Sequence, residues 1–363
     1  MNPPVPPSRL LGQPHTLVAR QDGAGDVLLQ GPAVRSVAAG SRRVTMLCSP
    51  RGAAAAELLP GVDELIVYPA EWIDPEPRPV RREAVTAFVD QISMMRVDVG
   101  VVLTSLQQSP LPLALLLRMA GVGRVGAVSA EYAGSLLDVG HQAPEDMHEV
   151  ERSLSLVRAM GFRTPPGDDG RLAVTRMGRL PREVARRMPF VVVHPGGSAP
   201  ARAWAPQRHA QLVRLLVSWG RRVVVTGSSD EADLCALVAG RSRPEVLNLA
   251  GRTNLADLAE VLAAAEVVVC GGAGPAHLAA AVGTPVISVF APVVPAPRWR
   301  PWMIPHTLMG CQDVAGNGTG DRAKSGHQRL NGLETRDVLT AVEVLLAQAA
   351  TGREALISLE EAG

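Results

Sequence analysis

Short continuous apolar runs alternate along this chain with segments of helical spacing, and that alternation leaves few folds open. TLVA (16–19), VTMLC (44–48), ELIVY (64–68), VGVVLT (99–104) and RVGAVS (124–129) occupy the first half. PFVVVHPGG (189–197), RRVVVTG (221–227), EVLNLAG (245–251), EVVVCGG (266–272) and PVISVFAP (285–292) repeat the pattern in the second. An apolar run without polar alternation reads as a strand buried on both faces, and the helix-suited segments between runs, such as VLLQGPAVRSVAAG, supply the covering layers. The fold class is therefore α/β, with two Rossmann-like, doubly wound domains facing each other across an interdomain cleft at their strand C-termini.

A chain of 363 residues exceeds what one core usually fills. The Pro, Gly and Asp cluster of FRTPPGDDGR, which follows a helical stretch Glu145–Gly161, marks the joint. It divides the chain into a first domain at 1–170, a linker at 171–188, a second domain at 189–345 and a tail at 346–363. Val293–Asn331, rich in Pro, Gly and polar residues, reads as long loops, and TRDVLTAVEVLLAQAA as a closing helix.

Charge and cysteine usage exclude several classes. Basic and acidic residues number 36 and 35 and are scattered, so no nucleic-acid footprint is present. Lys324 is the only lysine, so a cation in an anion site must be arginine, whose guanidinium forks onto phosphate. Cys48, Cys235, Cys270 and Cys311 form no C-x-x-C pair, which argues against a zinc site and a disulfide scaffold and makes a reducing cytoplasm the expected location. MNPPVPPSRLLGQPH lacks the apolar core of a signal peptide, and Leu111–Leu117 is too short to span a membrane.

Four loops carry the candidate chemistry. Gly25-Asp26 follows the first strand, where a carboxylate could act as a general base or cap the next helix. HPGGSAPARAW (194–204) offers the backbone of Gly196 and Gly197, the Ser198 hydroxyl and Arg202 to a diphosphate, unless it is a surface loop. CGGAGPAHLAAAVGTP (270–285) offers Gly272, Ala273, Gly274 and the helix start behind them, with His277 either packed or in the site. TGSSDEAD (226–233) places Thr226, Gly227 and an acid, Glu231 or Asp230, at a strand end, to take a ribose diol or to stand solvated at a helix start. No first-strand G-x-G-x-x-G with a following acid is present, which weakens a nicotinamide reading.

Taken together, AGDVLLQGPAVRSV, HPGGSAPARAWAPQRHAQL and NLAGRTNLADLAEVLAAAEVVVCGGAGPAHLAAAVGTPVISVFAP resemble glycosyltransferase family 9, the ADP-heptose:lipopolysaccharide heptosyltransferase-like family. The resemblance implies a GT-B fold, with acceptor contacts in the first domain and the donor nucleotide in the second. It implies an inverting transfer of a sugar, with ADP-heptose favoured as donor, to a hydroxyl of a glycan, a lipopolysaccharide core or another glycoconjugate, without metal or cofactor. By position Asp26 matches the catalytic base, Arg202 a phosphate-binding lysine, Glu231 the ribose-binding acid and Thr253 a residue of the base pocket. Asp22, Gly25 and His148 are candidates on the acceptor side. Partners would be the nucleotide sugar and the acceptor, with no nucleic acid, and peripheral membrane contact left open. The chain departs from the family where Gly272-Ala273 replace an acid and a hydroxyl, which motivates one alternative, a non-catalytic nucleotide-sugar-binding protein; a nucleotide-sugar epimerase on the same two-domain fold is a second.

Overall fold

A computed structural model describes residues 12–74, 76–105, 107–197, 203–241, 243–271, 273–289, 296–310, 330 and 332–360, the side chains of 273 and 350–360 excepted. The backbone divides into two compact units, 1–175 and 176–363. Each contains one parallel six-stranded sheet.

In the first unit the strands are β1 (His15–Arg20), β2 (Arg43–Cys48), β3 (Glu64–Val67), β4 (Val99–Val102), β5 (Arg124–Val128) and β6 (Val139–His141), in the order β3-β2-β1-β4-β5-β6. In the second they are β7 (Phe190–His194), β8 (Arg222–Val225), β9 (Val246–Asn248), β10 (Val267–Cys270), β11 (Val286–Val289) and β12 (His306–Met309), in the order β12-β11-β10-β7-β8-β9. The central strands are buried along most of their length and rich in valine, whose branched Cβ suits a pleated surface packed on both sides. Leu17, Phe88, Ile92, Leu117 and Val125 fill one core, and Val193, Leu212, Val223, Val269 and Val342 the other.

Two local readings of the sequence need correction. The segment read as loops, Val293–Asn331, contains β12, and β6 adds a sixth strand to the first sheet. Both are sheet-edge strands of three or four partly exposed residues, without the long apolar run that marks a central strand. The helix expected from VLLQGPAVRSVAAG is two helices, Ala24–Leu28 and Gly31–Ala39. Pro32 explains the break: it has no backbone N–H to give a preceding turn, but suits the first turn of a new helix. The Pro/Gly/Asp stretch after Gly161 is tied to the first unit. Asp168 accepts a two-pronged bond from Arg35, at 2.6 and 2.8 Å, and Leu172 and Val174 are buried.

In the second unit Trp204 is buried and donates through Nε1 to the Leu333 carbonyl at 3.2 Å, anchoring the chain before the helix Pro206–Ser218. His209 meets it edge-on, with ring centroids 4.8 Å apart. Burial, aided by the nearby His194, pushes the His209 imidazole down to about 4. An unfolded chain therefore binds a proton near pH 6.5 that the folded one refuses until about pH 4, so stability falls as pH drops through that window, by up to about 3 kcal/mol. Burial lowers His15 and His194 as well, with the same sign. In a His209→Leu variant, which has no proton to gain, Tm should fall less steeply between pH 6.5 and 4. An unchanged slope would remove His209 from the acid sensitivity.

Candidate active site

Each sheet reverses its strand order once, between β1 and β4 in the first unit and between β7 and β10 in the second. Loops leaving the C-terminal ends of two such strands diverge, and open α/β sheets bind ligands in the gap.

In the first unit the loop after β1 leads into the helix Ala24–Leu28, with Gly23 as its N-cap. Asp26 is therefore not the cap. It stands in the first helical turn, where a carboxylate is favoured by the helix dipole, and its side chain is 31% exposed. Beside it lies Arg20, the last residue of β1 and only 1% exposed. Its Nε lies 2.7 Å from Asp22 Oδ2 and its Nη1 donates to Glu149 Oε2 at 3.4 Å. Its Nη2 donates to Asp26 Oδ1 at 3.2 Å and to Ser105 Oγ at 2.8 Å. Burial alone would lower the pKa of this guanidinium, but Asp22, Asp26 and Glu149 together hold it above its ordinary value.

The surrounding loops are tied to the same cluster. Asp22 accepts from Gln108 Nε2 at 2.5 Å and from Ser105 Oγ at 3.1 Å, and its carbonyl accepts from Ser49 Oγ at 2.7 Å. Arg152 Nη1 donates to the Thr104 carbonyl at 2.5 Å and lies 3.9 Å from Glu149 Oε2. Gly25 is buried in the short helix. His148 is buried as the N-cap of the helix Glu149–Ala159, its Nδ1 accepting from the Val150 amide at 3.2 Å.

Sequence reasoning named Asp22, Gly25, Asp26 and His148 in this unit but missed Arg20, Ser105, Gln108, Glu149 and Arg152. Arg20 left a usable signal, since a charge ending the most central strand of a buried sheet must be paired. Glu149 left none, because an acid in a first helical turn reads as surface.

In the second unit the loop after β7 begins Pro195-Gly196-Gly197, and the loop after β8 holds Thr226, Gly227 and a short turn Ser229–Glu231. Glu231 is not simply solvated. It closes a capping box with Ser228, accepting from the Ser228 amide at 2.8 Å, and leans across both loops. A Cβ on Gly196 would stand 1.9 Å from Glu231 Oε1, and one on Gly227 3.2 Å from Oε2. His194, at the end of β7, lies 3.9 Å from Glu231 Oε2 through Nε2 and 3.0 Å from Thr226 Oγ1 through Nδ1. Burial pushes its imidazole below the ordinary value, against the pull of Glu231.

The remaining candidates ring the same sheet end. The Gly251 amide donates to the Gly227 carbonyl at 3.0 Å, and half-buried Thr253 precedes Asn254, which caps the helix Leu255–Ala264. Gly274 lies in the first turn of the helix Ala273–Val282, and His277, one turn on, is fully buried. Ser198, Arg202, Gly272 and Cys311, with the side chain of Ala273, lie outside the described residues. A cavity of about 470 Å³ is lined by Arg187, Gly240 and Arg243, which precede β7 and β9, and by β9 itself, and it includes none of the candidate residues of these loops. Among the described residues no cluster of three or more His, Cys, Asp or Glu is placed to hold a metal ion. No described helix is long and apolar enough to cross a membrane.

Comparison with known proteins bears on family and fold. The model of a family described as glycosyltransferase family 9 (heptosyltransferase) matches residues 86–315, more than half of the chain. Lipopolysaccharide heptosyltransferase 3 of Escherichia coli is 28% identical over 216 residues, covering 56% of this chain and 62% of that protein. The chain thus spans less than two thirds of this curated relative. Among solved structures, a glycosyl transferase family 9 protein of Veillonella parvula DSM 2008 superposes with a TM-score of 0.76 at 15% identity, over 94% of this chain and 99% of that one. E. coli ADP-heptose lps heptosyltransferase II gives 0.71 at 20% identity, over 92% and 99%. At these identities the likeness is one of fold, the GT-B class.

Proposed function

Because the chain belongs to glycosyltransferase family 9, we propose that it transfers a sugar, a heptose carried on ADP, to a hydroxyl of a lipopolysaccharide core or a similar glycan, in one inverting displacement. The observation that carries this reading is that each unit has one strand reversal with its own chemistry at it. The first unit presents a partly exposed carboxylate, Asp26. The second presents glycine loops, a helix start and an acid, Glu231.

In this reading Asp26 takes the proton of the acceptor hydroxyl as its oxygen attacks the anomeric carbon of the donor. The bond from that carbon to the diphosphate breaks, and ADP leaves with the electron pair. Backbone amides of Gly196 and Gly197 and the first turn of Ala273–Val282 receive the growing charge on the diphosphate, with Arg202 as the cation. Such groups act mainly on the transition state, because the charge they meet develops only as the bond breaks. Glu231 takes the ribose diol, Thr226 and Gly227 border it, and Thr253 lies toward the base. On the acceptor side Asp22 and His148 shape the loops behind Asp26. Neither metal nor cofactor enters these steps, and the reaction is assigned to the cytoplasm, where nucleotide sugars are made.

Titration of the protein with ADP, GDP, UDP and NAD by calorimetry, without divalent metal, tests the donor half. ADP should bind selectively and Arg202→Ala should weaken it roughly tenfold or more, the scale of losing a charged contact to phosphate. Binding of no nucleoside diphosphate, or of NAD alone, would overturn the assignment. The Gly272-Ala273 departure supports one second reading, a protein that binds nucleotide sugar without turning it over. ADP-heptose bound tightly but never consumed, whatever acceptor is supplied, would favour it.

A further inference from the structure

We propose that Arg20 is a positioning residue for transfer: it orients Asp26 and sets the pH range in which Asp26 serves as base. The inference rests on the reading of Asp26 as that base. Asp26 rides on a helix of five residues that stops before Pro32, too short to fix a side chain by itself. Its Oδ1 is held by Arg20 Nη2, and that nitrogen is itself fixed by Ser105 Oγ.

A buried guanidinium with three carboxylates is an expensive way to end a strand, since well-packed apolar residues of similar volume often stabilise a fold as much or more. What the cluster achieves is directional. Side chains of Arg20, Arg152, Asp22 and Glu149 are 1%, 7%, 12% and 0% exposed, and only Asp26, at 31%, reaches solvent substantially. Arg20, itself set among three other largely buried charges, thus holds the one carboxylate that reaches solvent.

The same charges govern its protonation. Arg20 and Arg152 face Asp22, Asp26 and Glu149, while buried His148 caps the helix that carries Glu149 and Arg152, and Ser105 and Gln108 contribute neutral hydrogen bonds from the β4 side. With Arg20 gone, Asp26 would share its surroundings with two carboxylates and lose the cation that donates to its Oδ1. It would then hold a proton to higher pH.

Arg20→Gln alone takes the nearer cation away from buried Asp22 and Glu149 and can fail to fold. Two other variants keep the idea testable. Arg20→Gln with Glu149→Gln removes one cation and one anion together, and Arg20→Lys keeps the charge but replaces the three-way fork with a single ammonium. Each is assayed with ADP-heptose and lipopolysaccharide core oligosaccharide across pH, and ADP binding is read by calorimetry.

The double variant should bind ADP as wild type, lose about tenfold or more in kcat, and move the acidic limb of kcat/KM upward by about one pH unit. Arg20→Lys should lose a similar factor in kcat with the limb left in place, and it carries the test alone if the double variant does not fold. Wild-type kcat and an unmoved limb in the folded double variant, or wild-type kcat in Arg20→Lys, would make Arg20 a structural brace only. Asp26→Asn is assayed alongside. If it stays active, the base reading fails and this inference fails with it. If it is inactive while the Arg20 variants behave as wild type, the inference fails alone.

Discussion

Asp26→Asn should leave ADP affinity unchanged while turnover falls by about two orders of magnitude or more, the range expected when a general base is lost. The substitution keeps the shape of the side chain and an oxygen for the 3.2 Å bond from Arg20 Nη2, so the local structure has little reason to move. What disappears is the capacity to accept a proton. ADP binding, measured by calorimetry, serves as the internal control because the loops proposed to take the donor belong to the other unit. Turnover within a factor of a few of wild type would take Asp26 out of the chemistry. A parallel loss of ADP affinity would instead assign Asp26 to the donor.

Gly196→Ala should abolish most donor binding, lowering ADP affinity by about tenfold or more, or roughly 1.4 kcal/mol. Gly196 does not sit in the left-handed region, so the backbone itself accepts an alanine. The obstacle is Glu231, whose Oε1 and Cδ lie 1.9 and 2.2 Å from where the new methyl would stand. Glu231 must swing away, giving up its 2.8 Å bond from the Ser228 amide and its place across the two loops. The effect should therefore vanish in a background that lacks the carboxylate: Gly196→Ala combined with Glu231→Ala should bind ADP no worse than Glu231→Ala alone. Calorimetry on the three variants measures that coupling. Additive losses would mean that the glycine is needed for something other than room for Glu231.

How much could be read from the residues follows from how far each interaction reaches along the chain. Central strands such as FVVVH and VVVC announce themselves because burial on both faces leaves no polar position. Edge strands β6 and β12 do not, since half their surface is open and the composition reverts to that of a loop. The glycine-bearing turns and Asp26 were legible as local motifs. Ser228-x-x-Glu231 was legible too, as a capping box, though the sequence reading took Glu231 only for a ribose contact or a solvated acid. The partnership of Arg20 with Glu149 was out of reach, because no local rule joins residues 129 positions apart.

That separation also orders events in time. A growing chain carries Arg20 from its first moments but acquires Glu149 only 129 residues later, about 6 to 26 s at ordinary rates of synthesis. Until then the arginine that terminates the central strand lacks one of its three acids, and sealing it into the sheet leaves a charge less well compensated. The nascent first unit therefore gains little by closing early around a partial site. Its carboxylate cluster is finished only when the helix Glu149–Ala159 arrives, which couples the appearance of the geometry around Asp26 to completion of the unit that bears it.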